Sequence, residues 1–148
     1  MPEIGKLSFD LTHEVRDACL YLHLQQAARA VGRRFDAALR PFGLTNGQFS
    51  LLMSLNRPEP PTIGSVSALL AMDRTTLTAN LKPLVRRGLA AIVVDEADKR
   101  GRRLVLTAAG RDLLGAAVPA WREMQAAIEE IVGTPGADRL RGDLHALS

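Results

Sequence analysis

"MDRTTLTANLKPLVRRGLAAIVVDEADKRGRRLVLT", residues 72–107, holds in order a helix start, an apolar stripe, a helix stop and two short apolar runs around a basic tip. Asp73 suits an N-cap, because its carboxylate can accept from the free N–H groups of a first turn. Leu77, Leu81, Leu84 and Val85 recur at helical spacing and read as the inward stripe. Arg74, Thr75, Thr78 and Lys82 lie on the opposite side, with Thr76 and Asn80 at its flank. Gly88 closes the helix at the C′ position. Pro83 lies inside it, and the missing N–H and ring clash predict a bend there. Ala90–Asp95 and Arg102–Leu106 then read as strands. The tip between them packs Lys99, Arg100, Arg102 and Arg103 into five positions around Gly101.

Upstream, residues 12–40 contain no proline and read as one long helix. Leu20, Leu24, Ala27, Val31, Phe35, Ala38 and Phe42 form one apolar face; Val15, Ala18 and Leu22 mark a second. A helix apolar on two sides must be covered on two sides, which calls for either a larger core than one small domain offers or a second subunit. Pro41 and Gly43 stop it. Thr45, with Gln48 three residues on, reads as a capping box for a helix that buries Phe49, Leu52, Met53 and Leu55. "NRPEPPT" (56–62) is a loop, since three prolines oppose regular structure. Thr62 then caps a short helix, Ile63–Ala71, with Val66, Leu69 and Leu70 inward. Downstream, Thr107 caps a long helix to about Val132, with Pro119 as a kink; "GTPGA" breaks it, and Leu140, Leu144 and Leu147 mark a final short helix.

The chain of 148 residues is 47% hydrophobic, enough for a core. Its net charge of +3 hides an asymmetry. Residues 74–103 hold eight Lys/Arg and three Asp/Glu, a net of +5, against eleven and thirteen, a net of −2, elsewhere. A local basic patch points to a polyanion. The order helix, short helix, short helix, helix, hairpin is that of a winged helix-turn-helix. The fold class is thus mainly α (α+β), a lobe with a two-stranded basic wing flanked by long N- and C-terminal dimerisation helices. The expected organisation is one domain over 1–148, with the lobe at 45–110 and the helical region at 12–40 and 111–148. In such a lobe the second helix enters the major groove. There Arg can bond guanine bidentately, Asn can bond adenine, and Thr can offer its hydroxyl or methyl. A tip arginine suits a minor groove narrowed by A·T-rich sequence. The expected DNA contacts are Arg74, Thr75, Thr76, Thr78, Asn80, Lys82, Lys99, Arg100, Arg102 and Arg103.

Three segments together resemble the multiple-antibiotic-resistance regulator (MarR) family of transcription factors. They are "FGLTNGQFSLLMSL" (42–55), "MDRTTLTANLKPLVRRGL" (72–89) and "DEADKRGRRLVLTAAG" (95–110). The last is similar to the family's wing signature through Asp98, Arg100, Leu106, Thr107 and Gly110. The resemblance covers about residues 12–132. It implies a homodimer joined through the terminal helices, with Arg100 in the minor groove and Asp98 paired with Arg86 to fix the wing. It also implies small lipophilic or aromatic acids bound between the dimer helices and the lobe; His23, Arg29, Phe49, Met53 and Trp121 are wall candidates by position. The expected function is a repressor on a palindromic double-stranded DNA operator, released by such an effector.

Two alternatives stay open. A winged-helix protein–protein module would put an acidic partner on the wing, but the Thr-rich face of Arg74–Lys82 lacks the aromatic anchors such interfaces favour. A thiol-based redox regulator would use Cys19, with His23 four residues on to lower its pKa. One branch of the resembled family senses peroxide with a cysteine near this position, held by tyrosines; here Tyr21 alone exists and faces away. Cys19 therefore reads first as an inert, partly buried thiol. Enzyme motifs are missing: there is no GxSxG, phosphate-cradling loop or HExxH. His13, His23, His145 and Cys19 lack metal-ligand spacing, so no metal or cofactor is expected. No apolar run reaches the roughly 18 residues of a membrane span. "MPEIGKLSFD" lacks a signal-peptide core, and one cysteine fits a reducing compartment. The expected location is cytoplasmic.

Overall fold

A computed structural model describes residues 7–148. The first six residues of the stretch read against a signal peptide lie outside the described residues. Where the sequence predicts one helix over 12–40, the structure has two, α1 (Phe9–Ala18) and α2 (Leu20–Leu39). Cys19 stands between them with an extended ψ of 110°. No side chain caps the start of α2. Instead the Cys19 carbonyl accepts the His23 backbone N–H at 3.2 Å and the His23 ring Nδ1–H at 2.7 Å. That side-chain bond helps set the bend where neither proline nor glycine does. α1 buries none of its residues, so no core contact holds it on the axis of α2.

α2 ends in a 3₁₀ turn, Arg40–Phe42, closed by Gly43 at φ 66°. α3 (Asn46–Ser54) starts with the expected capping box: Thr45 Oγ1 accepts from Gln48 N–H, and Gln48 Oε1 accepts from Thr45 N–H, both at 3.1 Å. Asn46 ties this start to α2 through Asp36, which accepts its N–H at 2.7 Å and its amide at 2.8 Å. α4 (Ile63–Leu69) is capped by Thr62 and ends two residues earlier than expected, before Ala71 at φ 50°. Its two turns present one narrow face inward. Val66 is buried, whereas Leu69, expected inward, is 61% exposed.

α5 (Arg74–Arg86) begins at Asp73 and buries Leu77, Leu81 and Leu84; Gly88 follows at φ 72°. Val85, expected with that stripe, is turned outward beside Ile92 in a shallow hollow of about 240 Å³ that also includes Lys82 and Arg86. β1 (Ala90–Val94) pairs antiparallel with β2 (Arg102–Leu106), Ala90 opposite Leu106 and Val94 opposite Arg102. Asp95 lies just beyond β1, one residue short of the expected strand. The far edge of β2 is not bare. Thr62 bridges to Arg103, and Leu104 N–H donates to the Pro61 carbonyl at 2.9 Å. The end of the proline loop thus joins the sheet, because proline can still accept where it cannot donate.

α6 (Ala108–Val132) starts at Thr107, whose hydroxyl accepts Gly110 N–H at 3.1 Å and donates to Gly88 carbonyl at 2.6 Å. This pins the start of α6 to the end of α5. Gly133 alone breaks the chain before α7 (Thr134–Ala146), which absorbs the rest of "GTPGA" with Pro135 in its first turn. The core lies where α2–α6 and the wing meet: Leu39, Leu52, Val66, Leu77, Leu84 and Leu104 are wholly buried. Trp121 stacks between Phe35 and Phe49, its ring centroid 6.2 and 6.1 Å from theirs. The terminal helices are different. Phe9 is 72% exposed, Leu20 68% and Leu147 64%, with Val15, Ile131 and Leu140 also outward.

Candidate nucleic-acid interface

α5 turns Arg74, Thr75, Thr76, Thr78, Asn80 and Lys82 to solvent while its leucines hold it in the lobe. The cap shapes its first turn. Asp73 accepts Thr76 N–H at 2.8 Å and Thr76 Oγ1–H at 2.9 Å, and these bonds hold its carboxyl below the usual carboxylate range. Thr76 therefore spends both of its donors inside the helix. Thr78 donates its hydroxyl to the Arg74 carbonyl at 2.8 Å, a local use that competes with any external contact. The Asn80 amide rests 3.5 Å from Met72 Sδ. Among the described residues, the side chains of Arg74, Thr75 and Lys82 make no hydrogen bond or ion pair. They are the free donors of this face.

The wing tip is built by its acids. Asp98 Oδ1 accepts Arg100 N–H at 3.0 Å, and Gly101 N–H returns to the Asp98 carbonyl at 2.8 Å. Lys99 and Arg100 project from that turn, and no hydrogen bond or ion pair engages their side chains among the described residues. Arg102 folds along the tip, its Nη1 donating to the Gly101 carbonyl at 3.1 Å. Two expectations are corrected here. Among the described residues no ion pair joins Asp98 to Arg86. Asp98 is committed to the turn, and Arg86 lies in the hollow beside Val85. Arg103, expected at the DNA surface, turns back to brace the wing. Its Nε lies 3.2 Å from Asp95 Oδ1, and its Nη1 donates to the Pro60 carbonyl at 2.6 Å. Asp95 is 8% exposed and also accepts Ala97 N–H. Arg103 first, and then that N–H, hold its carboxyl below the usual range. Sequence reasoning missed this clamp. Its one signal was an acid placed directly after an apolar strand.

The remaining candidates are dispersed. Phe49 and Trp121 are used up in the core stack, and Met53 packs against the same core. His23 bonds the Cys19 carbonyl rather than its thiol, and Tyr21 Oη accepts from Gln25. Arg29 lines an open hollow of about 410 Å³ with Arg33, Gly32, Asp36 and Asn46. A second, apolar hollow of about 440 Å³ lies between α2, α6 and α7, and none of the five effector candidates lines it. Neither hollow is lined by all five, and Phe49 and Trp121 complete the core instead. Among the described residues no cluster of three or more His, Cys, Asp or Glu is placed to hold a metal ion, and no helix is long and apolar enough to cross a membrane.

No protein-family model matches the chain. Its similarity to individual proteins is extensive. The transcriptional regulator MosR of M. tuberculosis, solved in complex with DNA, is 41% identical; the match covers 87% of this chain and 92% of MosR, with a TM-score of 0.79. MarR of E. coli, solved on operator DNA, shares the fold at a TM-score of 0.82 with 20% identity, over 90% of this chain and 96% of that one. The chain belongs to the MarR family. It is a DNA-binding transcriptional regulator of the MarR type, as are the proteins it is similar to. The transcriptional repressor CouR, solved on a 23-mer DNA duplex, is 25% identical over 97% of this chain and 99% of its own, at a TM-score of 0.81. The transcriptional activatory protein BadR of Rhodopseudomonas palustris is 29% identical over 131 residues, 86% of this chain and 74% of BadR. The winged MarR lobe confirms the fold class read from the sequence.

Proposed function

We propose that this MarR-family regulator is a cytoplasmic homodimeric repressor that binds a near-palindromic operator and is released by a small lipophilic or aromatic acid. The observation that carries the reading is the free face of α5 beside a tip bearing Lys99, Arg100 and Arg102, in a chain whose remainder is net negative. Arg74, Thr75 and Lys82 then serve the major groove, with Thr76, Thr78 and Asn80 as packing neighbours. Lys99 and Arg100 serve the minor groove and its phosphates. Residues 45–110 act as the reading lobe, and 12–40 with 111–148 as the dimerisation region. The exposed apolar residues of α1, α6 and α7 favour a second copy, since so many large side chains in water call for a cover. Arg29 and Arg33, which share one hollow, offer cations to the effector's acid group.

Repression follows from occlusion: a dimer spanning two half-sites about 10 base pairs apart covers promoter DNA. The repressor CouR supports that sign, and BadR represents the opposite one. The test is selection from a randomised DNA pool, followed by in vitro transcription from a promoter holding the selected site. A near-palindrome and a fall in transcript are expected. A rise in transcript refutes repression, and failure to enrich any sequence refutes the operator reading.

A further inference from the structure

Gly64 lies in the first turn of α4, in a helical backbone and without a positive φ. Nothing in its conformation demands glycine, and alanine would suit a helix better. What Gly64 has instead is a close neighbour. A Cβ there would lie 3.0 Å from Arg74 Nη2 and 4.0 Å from Arg74 Cζ. The Arg74 guanidinium therefore rests against the backbone of α4, across the turn of the helix pair. It sits at the first position of α5 and has no acceptor among the described residues. Its contact with α4 is one of packing, not of a polar partner.

We propose that Gly64 is a positioning residue for DNA readout: its missing side chain is the seat that aims the Arg74 guanidinium at a base edge. This rests on the reading of α5 as the recognition helix. An arginine distinguishes guanine only when two of its N–H groups meet O6 and N7 together, so a small displacement forfeits discrimination. Arginine is long and rotamer-rich, and a side chain already seated loses less freedom on binding. A methyl at Gly64 removes the seat. The atom it meets is the tip of a flexible side chain, so the fold accommodates the methyl and the arginine moves. Stability and recognition consequently respond in opposite directions.

The test compares wild type, Gly64→Ala, Arg74→Ala and the double variant, by thermal melting and by binding to the pool-selected site, its single-base variants and random DNA. Gly64→Ala should melt at or above wild type. It should lose affinity for the selected site by about three- to tenfold, part of the value of one bidentate contact, with little change on random DNA. Preference should relax at the same base pair that Arg74→Ala relaxes, and the double variant should match Arg74→Ala. Wild-type affinity and preference in Gly64→Ala overturn the proposal. So does the same loss in the Arg74→Ala background, or a fall in Tm that Arg74→Ala does not rescue. Gly64→Ser repeats the comparison with a second small side chain and should reproduce the loss. If wild type selects no sequence, the recognition-helix reading fails first, and that result is distinct from all of these.

Discussion

Gly110→Ala should damage the joint between the wing and α6 more than any other single methyl added to a glycine. A Cβ built on Gly110 would lie 2.1 Å from the Leu89 carbonyl oxygen and 2.8 Å from Leu106 Cδ1. An ordinary carbon–oxygen contact is about 3.3 Å or more, so the two backbones must separate by about 1.2 Å. The same carbonyl accepts Thr107 N–H at 3.2 Å, which the separation also breaks. Overpacking costs about 1–3 kcal/mol, and against backbone the upper end applies. The broken hydrogen bond adds about 1 kcal/mol, while removing a helical glycine returns about 0.5–1 kcal/mol. The net is a loss of about 3 kcal/mol, a fall in Tm of about 6–12 °C for a chain of this size. Gly115, in the same helix, has no atom within 4 Å of its built Cβ. Gly115→Ala should therefore raise Tm by about 1–4 °C. Calorimetry of the three proteins at one concentration decides the matter. A Gly110→Ala protein melting within about 2 °C of wild type, or two variants moving alike, would refute the steric argument.

Other outcomes can be measured alongside. Arg100→Ala should weaken binding to all sequences and reduce the slope of log K against log salt by about one for each phosphate no longer neutralised, whereas Arg74→Ala should relax one base pair at a cost of about 1–3 kcal/mol. Titrations at two salt concentrations separate them, and an unchanged slope for Arg100→Ala removes the wing from the interface. Light scattering at micromolar concentration should give twice the chain mass of 16.0 kDa, and a monomer that binds its site tightly contradicts the dimer. Asp95, with its folded pKa lowered by Arg103 and the Ala97 N–H, contributes stability that is fully present above the unfolded carboxylate value of about 3.9 and is lost as pH falls through its folded pKa. The Tm gap between wild type and Asp95→Asn should thus be constant near neutrality and close in acid; a gap independent of pH down to acid argues against the clamp.

Most of the lobe is legible because its signals are local. Thr45 with Gln48, Asp73, Thr62 and Thr107 each cap a helix through a hydrogen bond spanning three residues, which sequence spacing reveals directly. The wing is legible from an apolar run, Ala90–Val94, and a shorter one, Leu104–Leu106, on either side of the glycine-centred tip, although its register is not. What escaped depends on distant partners. Arg103 belongs to the tip by position but to Asp95 and Pro60 by geometry, and Pro60 is 43 residues away in sequence. The break at Cys19 carries no proline or glycine; a histidine one turn later supports it through a carbonyl. Leu69 and Val85 match helical spacing, yet periodicity cannot tell how wide a strip of a short helix the core will cover. Trp121 and Phe49 could be placed near each other from sequence, but whether their rings bound a cavity or fill one depends on Phe35.

The Pro60–Pro61 segment that lies along β2 has a consequence for how these molecules behave when crowded. A sheet margin with alternating donors and acceptors invites a neighbouring molecule to extend it. Here that margin is occupied by a strap whose two consecutive prolines have no hydrogen to give. The strap satisfies Leu104 and presents outward a row poor in donors, which a foreign strand cannot easily zip onto. The prolines that obscure this stretch in the sequence therefore close one of the sheet's two margins, that of β2.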